Sequence, residues 1–355
     1  MRLHGRDVNG TIYDFAGLPR VAAFGPDGRG RADARRESAA ANVPARIGLI
    51  SNPRSRRNKL AGGVPAPRPG VMAAAPRSRA ELRDVIARFA EQGVDLVIVD
   101  GGDGTVRDVL TCSGEVWGNR WPRFAVLPSG KTNALALDLG CPRDWTLDQI
   151  LDAARRGNTR TRSPVAIERR DQPGGPVRGF LFGTGAFVAA TALAQRTHKA
   201  GAFNGVAVGL ALSWAVAQTV FGSAASSWRR GELLRLRHDD RSVAMHGADL
   251  AVDRNQYLML ASTLETLPLG IRPFGSARPG LKTLTIDAPP RRILAAVGPL
   301  LAGSEAAWLE RVGFHRVDAP SADLDVEGGF ILDGEVFPGG AYRLSEAVPI
   351  SFVVP

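Results

Sequence analysis

Four apolar residues, Leu96-Val97-Ile98-Val99, run without a break into Asp100-Gly101-Gly102-Asp103-Gly104-Thr105, and helical sequence follows at once. A short continuous apolar run suits a strand covered on both faces, as strands of a parallel sheet are. Two similar junctions flank it. Ile47, Leu49 and Ile50 lead into Ser51-Asn52-Pro53, and Phe124 to Leu127 leads into Pro128-Ser129-Gly130-Lys131-Thr132-Asn133 before further helical sequence. Between the first two junctions Leu82, Val85, Ile86 and Phe89 recur at spacings of three and four, predicting a helix from about Ser78 to Gln92 with one apolar stripe. Strand, loop and helix alternate, which predicts an α/β domain with a parallel sheet whose strand ends carry the site.

After about Ser163 the pattern changes. Runs at 179–187, 256–262, 281–286, 330–332 and 350–354 are separated by Gly and Pro, and predict a β-rich, sandwich-like half interrupted by helical sequence around 189–221 and 291–301. The expected organisation is a flexible or loosely docked arm over 1–45, an α/β domain over 46–163, and a β-rich domain over 164–355. The Gly/Pro/Arg-rich stretch 61–76 reads as a connection. With 355 residues and 44% hydrophobic composition, the chain can bury a substantial core, which excludes a mostly disordered protein.

Residues 1–20 contain Asp7, Asp14 and Pro19 and lack an apolar secretory core, so export by that route is not expected. The run 206–221 is shorter than the roughly 20 residues that cross a bilayer, and reads first as a buried helix, second as a helix lying on a membrane face. Cys112 and Cys141 make no CxxC pair and suit a reduced compartment. His198, His238, His246 and His315 are scattered without ligand spacing, and each reads as a surface or satisfied core residue.

The net charge of +10 is concentrated. Between positions 46 and 83 nine Lys and Arg residues stand against Glu81 alone. Without interleaved aromatic residues this segment is not expected to bind nucleic acid. A solvated loop face, a nucleotide triphosphate or an anionic membrane would each accept that charge.

Gly101 to Thr105 has the composition of a phosphate loop: residues without Cβ let backbone N–H groups approach, and the following helix N-terminus favours anions. Asp103 would repel bare phosphate and fits a role through Mg²⁺ or a nucleotide hydroxyl; a tight turn with an Asp near the helix start is the plain alternative. Gly130-Lys131-Thr132 ends like a Walker A loop, but Ala125 stands where that motif needs Gly. Lys131 reads equally as a phosphate ligand or a solvent-facing lysine. Asp333-Gly334 between apolar runs is a hairpin signal on physical grounds.

Three segments together resemble the diacylglycerol kinase catalytic-domain family, which includes bacterial lipid kinases and sphingosine kinases. Asn52-Pro53-Arg54-Ser55 is similar to its Asn-Pro-x-Ser-Gly loop, with Arg56 at the glycine. Gly101 to Thr105 matches its Gly-Gly-Asp-Gly-Thr, followed here by Arg107-Asp108 where Asn-Glu is more usual. Residues 128–136 are similar to its third loop, with Lys131 at a Thr and Ala134 at an Asp. The resemblance spans roughly residues 46–355. It implies an active site in an interdomain cleft, with ATP at Asn52, Gly101, Gly102, Asp103, Gly104, Thr105, Gly130, Lys131 and Asn133, and Mg²⁺ met by Asp103 through the ATP. The late Asp333-Gly334-Glu335 implies Asp333 as base and Glu335 as helper or metal-linked carboxylate, with the reverse order left open. Arg278-Pro279-Gly280-Leu281 lacks the acidic residues the family associates with a structural metal, so none is expected there. Gly183 to Phe187 and the small-residue segment 188–221 resemble the part of the family near the lipid.

The expected activity is phosphorylation of a membrane lipid hydroxyl, most simply diacylglycerol to phosphatidic acid, at the cytoplasmic membrane face. A sphingoid or other lipid alcohol, an NAD kinase reaction, and a catalytically weak binder of lipid or nucleotide are the alternatives. The expected partners are ATP, the lipid alcohol and an anionic membrane surface, and a homodimer is left open.

Overall fold

The computed structural model describes residues 46–60, 68–118, 120–171, 174–191, 231–290 and 292–355. The expected arm over 1–45, most of the segment 188–221 and His198 lie outside the described residues. The chain divides into two compact units. Arg162 and the described residues before it form the first together with Pro349–Pro355, and the second runs from Ser163 to Val348 apart from a short segment around Gly174.

The first unit holds β1 (Ile47–Ser51), α1 (Arg56–Leu60), β2 (Val71–Ala74), α2 (Arg79–Glu91), β3 (Leu96–Gly101), α3 (Asp103–Trp117), β4 (Arg123–Pro128), α4 (Ala134–Asp138), α5 (Leu147–Arg156) and β5 (Thr159–Arg162). It is completed by β18 (Ile350–Val353), and the sheet order is β2-β1-β3-β4-β18-β5. Every pair is parallel except β18 with β5. All six residues of β3 are buried, as its unbroken apolar run requires. The expected helix is α2, and its buried residues are the four of the predicted stripe. Its N-terminus is capped by Ser78, whose hydroxyl accepts from Glu81 N–H, while Glu81 accepts from Arg77 N–H in return. α2 lies so close to β1 that a Cβ on Gly48 would fall 2.3 Å from the Phe89 ring.

Two parts of this sheet differ from the sequence reading. Val71–Ala74, read as part of a connection, is an edge strand paired only with β1 and mostly half-buried. Residues 350–354, read with the β-rich half, supply β18 between β4 and β5. Phe352 there is fully buried, its ring centroid 6.2 Å from that of Phe124.

The second unit holds β6 (Val165–Arg169), β7 (Val177–Gly179), β8 (Leu181–Gly185), β9 (Glu232–His238), β10 (Val243–Ala244), β11 (Ala251–Ser262), β12 (Lys282–Asp287), α6 (Ile293–Leu301), α7 (Ala307–Arg311), β13 (Phe314–Asp318), β14 (Ser321–Val326), β15 (Phe330–Leu332), β16 (Glu335–Phe337) and β17 (Gly340–Glu346). Its strands form one antiparallel network in the order β10-β13-β12-β11-β9-β14-β17-β6-β7, with β8, β15 and β16 branching from it. The branch arises on the long strand β11, whose residues 251–256 pair with β9 and 258–262 with β8. Aromatic rings fill the core behind the branch: Phe330 stacks on Phe337 at 4.8 Å and meets Tyr342 edge-on at 4.9 Å. The α/β first unit and β-rich second unit are those expected from sequence. Among the described residues no helix is long and apolar enough to cross a membrane.

Candidate active site

β1, β3 and β4 are adjacent and parallel, so the loops that follow them leave the same edge of the sheet. That edge is where α/β sheets bind ligands. Three buried side chains knit the loops together. Asn52 donates from Nδ2 to Thr105 Oγ1 at 2.9 Å and accepts from Arg54 N–H at 2.8 Å. Asp100, at the buried end of β3, accepts on Oδ2 from Asn58 Nδ2 at 2.8 Å and on Oδ1 from the Ser129 hydroxyl. Asn58 Nδ2 also reaches the Asn52 carbonyl at 3.0 Å.

The second and third loops meet through glycine. A Cβ on Gly130 would lie 2.5 Å from Gly102 Cα and 2.8 Å from Asn133 Oδ1, and one on Gly102 would lie 3.0 Å from Gly130 Cα. Backbone faces backbone there, so a side chain has no room at Gly130 and only a tight fit at Gly102. Asn133 adopts the left-handed conformation at φ 53° and folds back on its own loop, accepting from Gly130 N–H at 2.9 Å and donating to Gly130 C=O at 3.1 Å. The short polar side chain makes that conformation tolerable.

Asp103 is partly buried, and its Oδ1 accepts from Leu135 N–H at 3.3 Å. Burial pushes its carboxyl above the usual range, against the pull of the Ala134, Leu135 and Asn133 backbone N–H groups. The residue therefore ties the second loop to the start of α4. α3 begins at Gly102 with no side-chain cap, which leaves its N-terminal N–H groups to an anion. Lys131 is exposed and makes no hydrogen bond or ion pair among the described residues. Arg107 and Asp108, at the Asn-Glu position of the family pattern, form a fully buried pair with Nη2 2.8 Å from Oδ1.

Asp333 and Glu335 belong to the second unit. Asp333 (φ 47°) and Gly334 (φ 83°) make the two-residue turn joining β15 to β16. Positive φ at both positions is what a tight hairpin of this kind requires. The Asp333 carboxylate accepts from Phe180 N–H at 3.0 Å and Leu181 N–H at 2.9 Å, and Asp333 N–H donates to Leu181 C=O at 2.9 Å. Its side chain is thus held against the turn between β7 and β8.

The structure accordingly gathers Asn52, Gly101 to Thr105, Gly130 and Asn133 into one bonded network with Lys131 on its exposed side. Sequence reasoning missed Asp100, Asn58 and Ser129. A signal existed for the first: a carboxylate ending a wholly buried run must find donors.

Residues 69–166 match the family model described as the diacylglycerol kinase catalytic domain. A probable lipid kinase YegS from Shigella flexneri is 40% identical over 76 residues, covering 20% of this chain and 25% of the relative. The same-named protein of Escherichia coli O157:H7 is 38% identical over 76 residues, again 25% of its length. The match thus spans a quarter of these relatives. A crystal structure of a diacylglycerol kinase from Bacillus anthracis superposes with a TM-score of 0.57 at 14% identity, covering 88% of this chain and 97% of that one. A second structure, of a putative diacylglycerol kinase from the same organism, gives 0.57 at 14% identity over 88% and 98%. At that identity the likeness concerns the fold. The similarity to the diacylglycerol kinase catalytic domain thus falls on residues 69–166, which carry the glycine loop and its Asp100 clasp.

Proposed function

We propose that the protein is an ATP-dependent lipid kinase that transfers the γ-phosphoryl group to the hydroxyl of a membrane lipid, with diacylglycerol as the simplest acceptor. The observation that carries this reading is the pair of loops fused back to back at Gly102 and Gly130 beside the uncapped start of α3. Such a surface offers backbone N–H groups to a polyphosphate at close range. Asn52 and Asp100 hold the loops in that form before ATP arrives, so little ordering is left to the binding step.

Phosphoryl transfer is mostly positioning and charge stabilisation. In this reading Lys131 swings onto the phosphates and balances their charge. Asp333 takes the proton of the acceptor hydroxyl as its oxygen bonds to the γ-phosphorus and ADP leaves. The Phe180 and Leu181 N–H groups fix the position of this carboxylate. Glu335, across the hairpin beside Leu332, is the helper. The first-unit loops do not fit a protein-built magnesium site. Both Asp100 oxygens and Asp103 Oδ1 are already bonded within the loops. Among the described residues no cluster of three His, Cys, Asp or Glu is gathered to hold an ion. No step here is routed through one. The proposed place of work is the cytoplasmic face of an anionic membrane, met peripherally.

The deciding experiment offers labelled ATP and Mg²⁺ with diacylglycerol, sphingosine or NAD in mixed micelles. Label in diacylglycerol is the expected result. Label only in sphingosine moves the acceptor within the lipid class, label only in NAD refutes a lipid acceptor, and no label in any of them leaves a binding protein. Asp333→Asn should lower kcat by about 10²–10⁴-fold, the usual contribution of a positioned base, with nucleotide affinity little changed. Retained turnover in a folded variant would remove Asp333 from the base role.

A further inference from the structure

The turn that holds the Asp333 side chain is itself held from behind. Phe180 stands alone between β7 and β8, and it is buried. The peptide group joining it to Leu181 is bonded at both ends. Its N–H, on Leu181, donates to Asp333 Oδ1 at 2.9 Å, and its carbonyl, on Phe180, accepts from the Ser262 hydroxyl at 2.8 Å. Ser262 Oγ in turn accepts from Leu264 N–H at 3.1 Å. Ser262 is wholly buried at the last residue of β11, 82 residues along the chain from Phe180.

The direction of every link follows from the groups themselves. A backbone carbonyl only accepts and a backbone N–H only donates, so the Ser262 hydroxyl sends its proton toward Phe180 and receives on a lone pair from Leu264. The groups form one chain, from Leu264 N–H through the Ser262 hydroxyl and the peptide group to the carboxylate. Bonds in series polarise one another, so each link strengthens the donor that finally meets Asp333.

The frame behind this chain is stiff. Residues 258–262 of β11 pair with β8 on one side and β12 on the other, and Ser262 stands opposite Leu181 in the ladder. In front of it there is little slack. A Cβ on Gly179 would fall 2.5 Å from Asp333 Oδ2 and 2.7 Å from the Leu332 side chain. The carboxylate thus rests against the bare backbone of the turn, and its place follows that of the turn.

We infer that Ser262 is a positioning residue for the Asp333 carboxylate, acting through the peptide group between Phe180 and Leu181. For its effect on turnover the inference rests on the proposed base role of Asp333; for its effect on the turn it rests on the hydrogen-bond chain alone. A buried hydroxyl at this place either fills space at the end of β11 or aims the turn. Cysteine separates the two, since it is close to serine in shape and donates only weakly.

The test uses the full chain with labelled ATP, Mg²⁺ and diacylglycerol in mixed micelles, and the variants Ser262→Ala and Ser262→Cys. Both should lower kcat by about ten- to a hundredfold, as small misplacements of a reacting group do, with the KM for ATP unchanged. On an Asp333→Asn background Ser262→Ala should cost nothing more, because residues that act as a unit are not additive. Wild-type kcat in Ser262→Cys, or an undiminished loss on the Asp333→Asn background, would overturn the positioning role. Full turnover in Asp333→Asn alone would instead refute the base reading and leave the hold on the turn to be judged by itself. That hold is read without turnover, from amide hydrogen exchange at Leu181, expected to be about fivefold faster in both variants with the amides of β13 and β14 unchanged. Unaltered exchange at Leu181 overturns the inference whatever the acceptor of the reaction proves to be.

Discussion

Asp100 is a buried carboxylate whose two oxygens each serve a different loop. Replacing it with Asn puts an amide donor against Asn58 or Ser129 and leaves one buried group unpaired, at a cost of about 1–3 kcal/mol in denaturant unfolding. Arg107→Met is expected to be harsher. It removes the guanidinium that faces the buried Asp108 carboxylate, a loss of about 3–5 kcal/mol, and an accompanying Asp108→Leu should recover much of it. The thiols of Cys112 and Cys141 are both pushed up to about 12, mainly by burial. Native protein at pH 8 should therefore give almost no reaction with a disulfide reagent, and unfolded protein two equivalents. Prompt reaction in the folded state would contradict that burial. The glycine motif was legible at this scale because Gly102 and Gly130 are chosen by space. Asn58 was not, since nothing in Arg56-Arg57-Asn58 announces that its amide will reach a carboxylate 42 residues away.

Among the elements, α2 and β3 were readable from their periodicity, one with a stripe at helical spacing and the other unbroken. β2 was not, since four residues beside a Gly- and Pro-rich stretch carry too little pattern, and an edge strand needs only one neighbour. β18 was read as a strand and given to the wrong sheet. Its apolar alternation fits either half, and pairing with β4 across more than 220 residues leaves no local trace. Deleting residues 349–355 is expected to strip β4 and β5 of their shared neighbour. The N-terminal unit should then lose its cooperative melting transition, followed by far-UV circular dichroism, while Ser78→Ala at the α2 cap costs only about 1 kcal/mol.

For the whole molecule, the positive charge that stood out in the sequence is partly consumed at home. Arg68 pairs with Asp148 at 3.1 Å, and Arg83 with Glu115 at 3.0 Å. Exposed Arg54, Lys59 and Lys131 remain for outside anions. Binding to anionic vesicles should weaken steeply as salt rises, each such residue near a charged bilayer contributing about 1 kcal/mol at most. Salt-insensitive binding would point to an apolar contact instead. The division into an α/β and a β-rich half was legible because the hydrophobic period itself changes near Ser163. The interleaving of the chain was not. Arg162 of β5 and Ile350 of β18 sit opposite each other in register, so the second unit leaves and re-enters the first across one rung of a ladder. On the ribosome, β1 to β4 must wait for a strand that is translated after the entire second unit. That unit can close first, which makes the later-encoded module the earlier one to fold, and leaves the loops after β1, β3 and β4 among the last parts to gain a finished sheet beneath them.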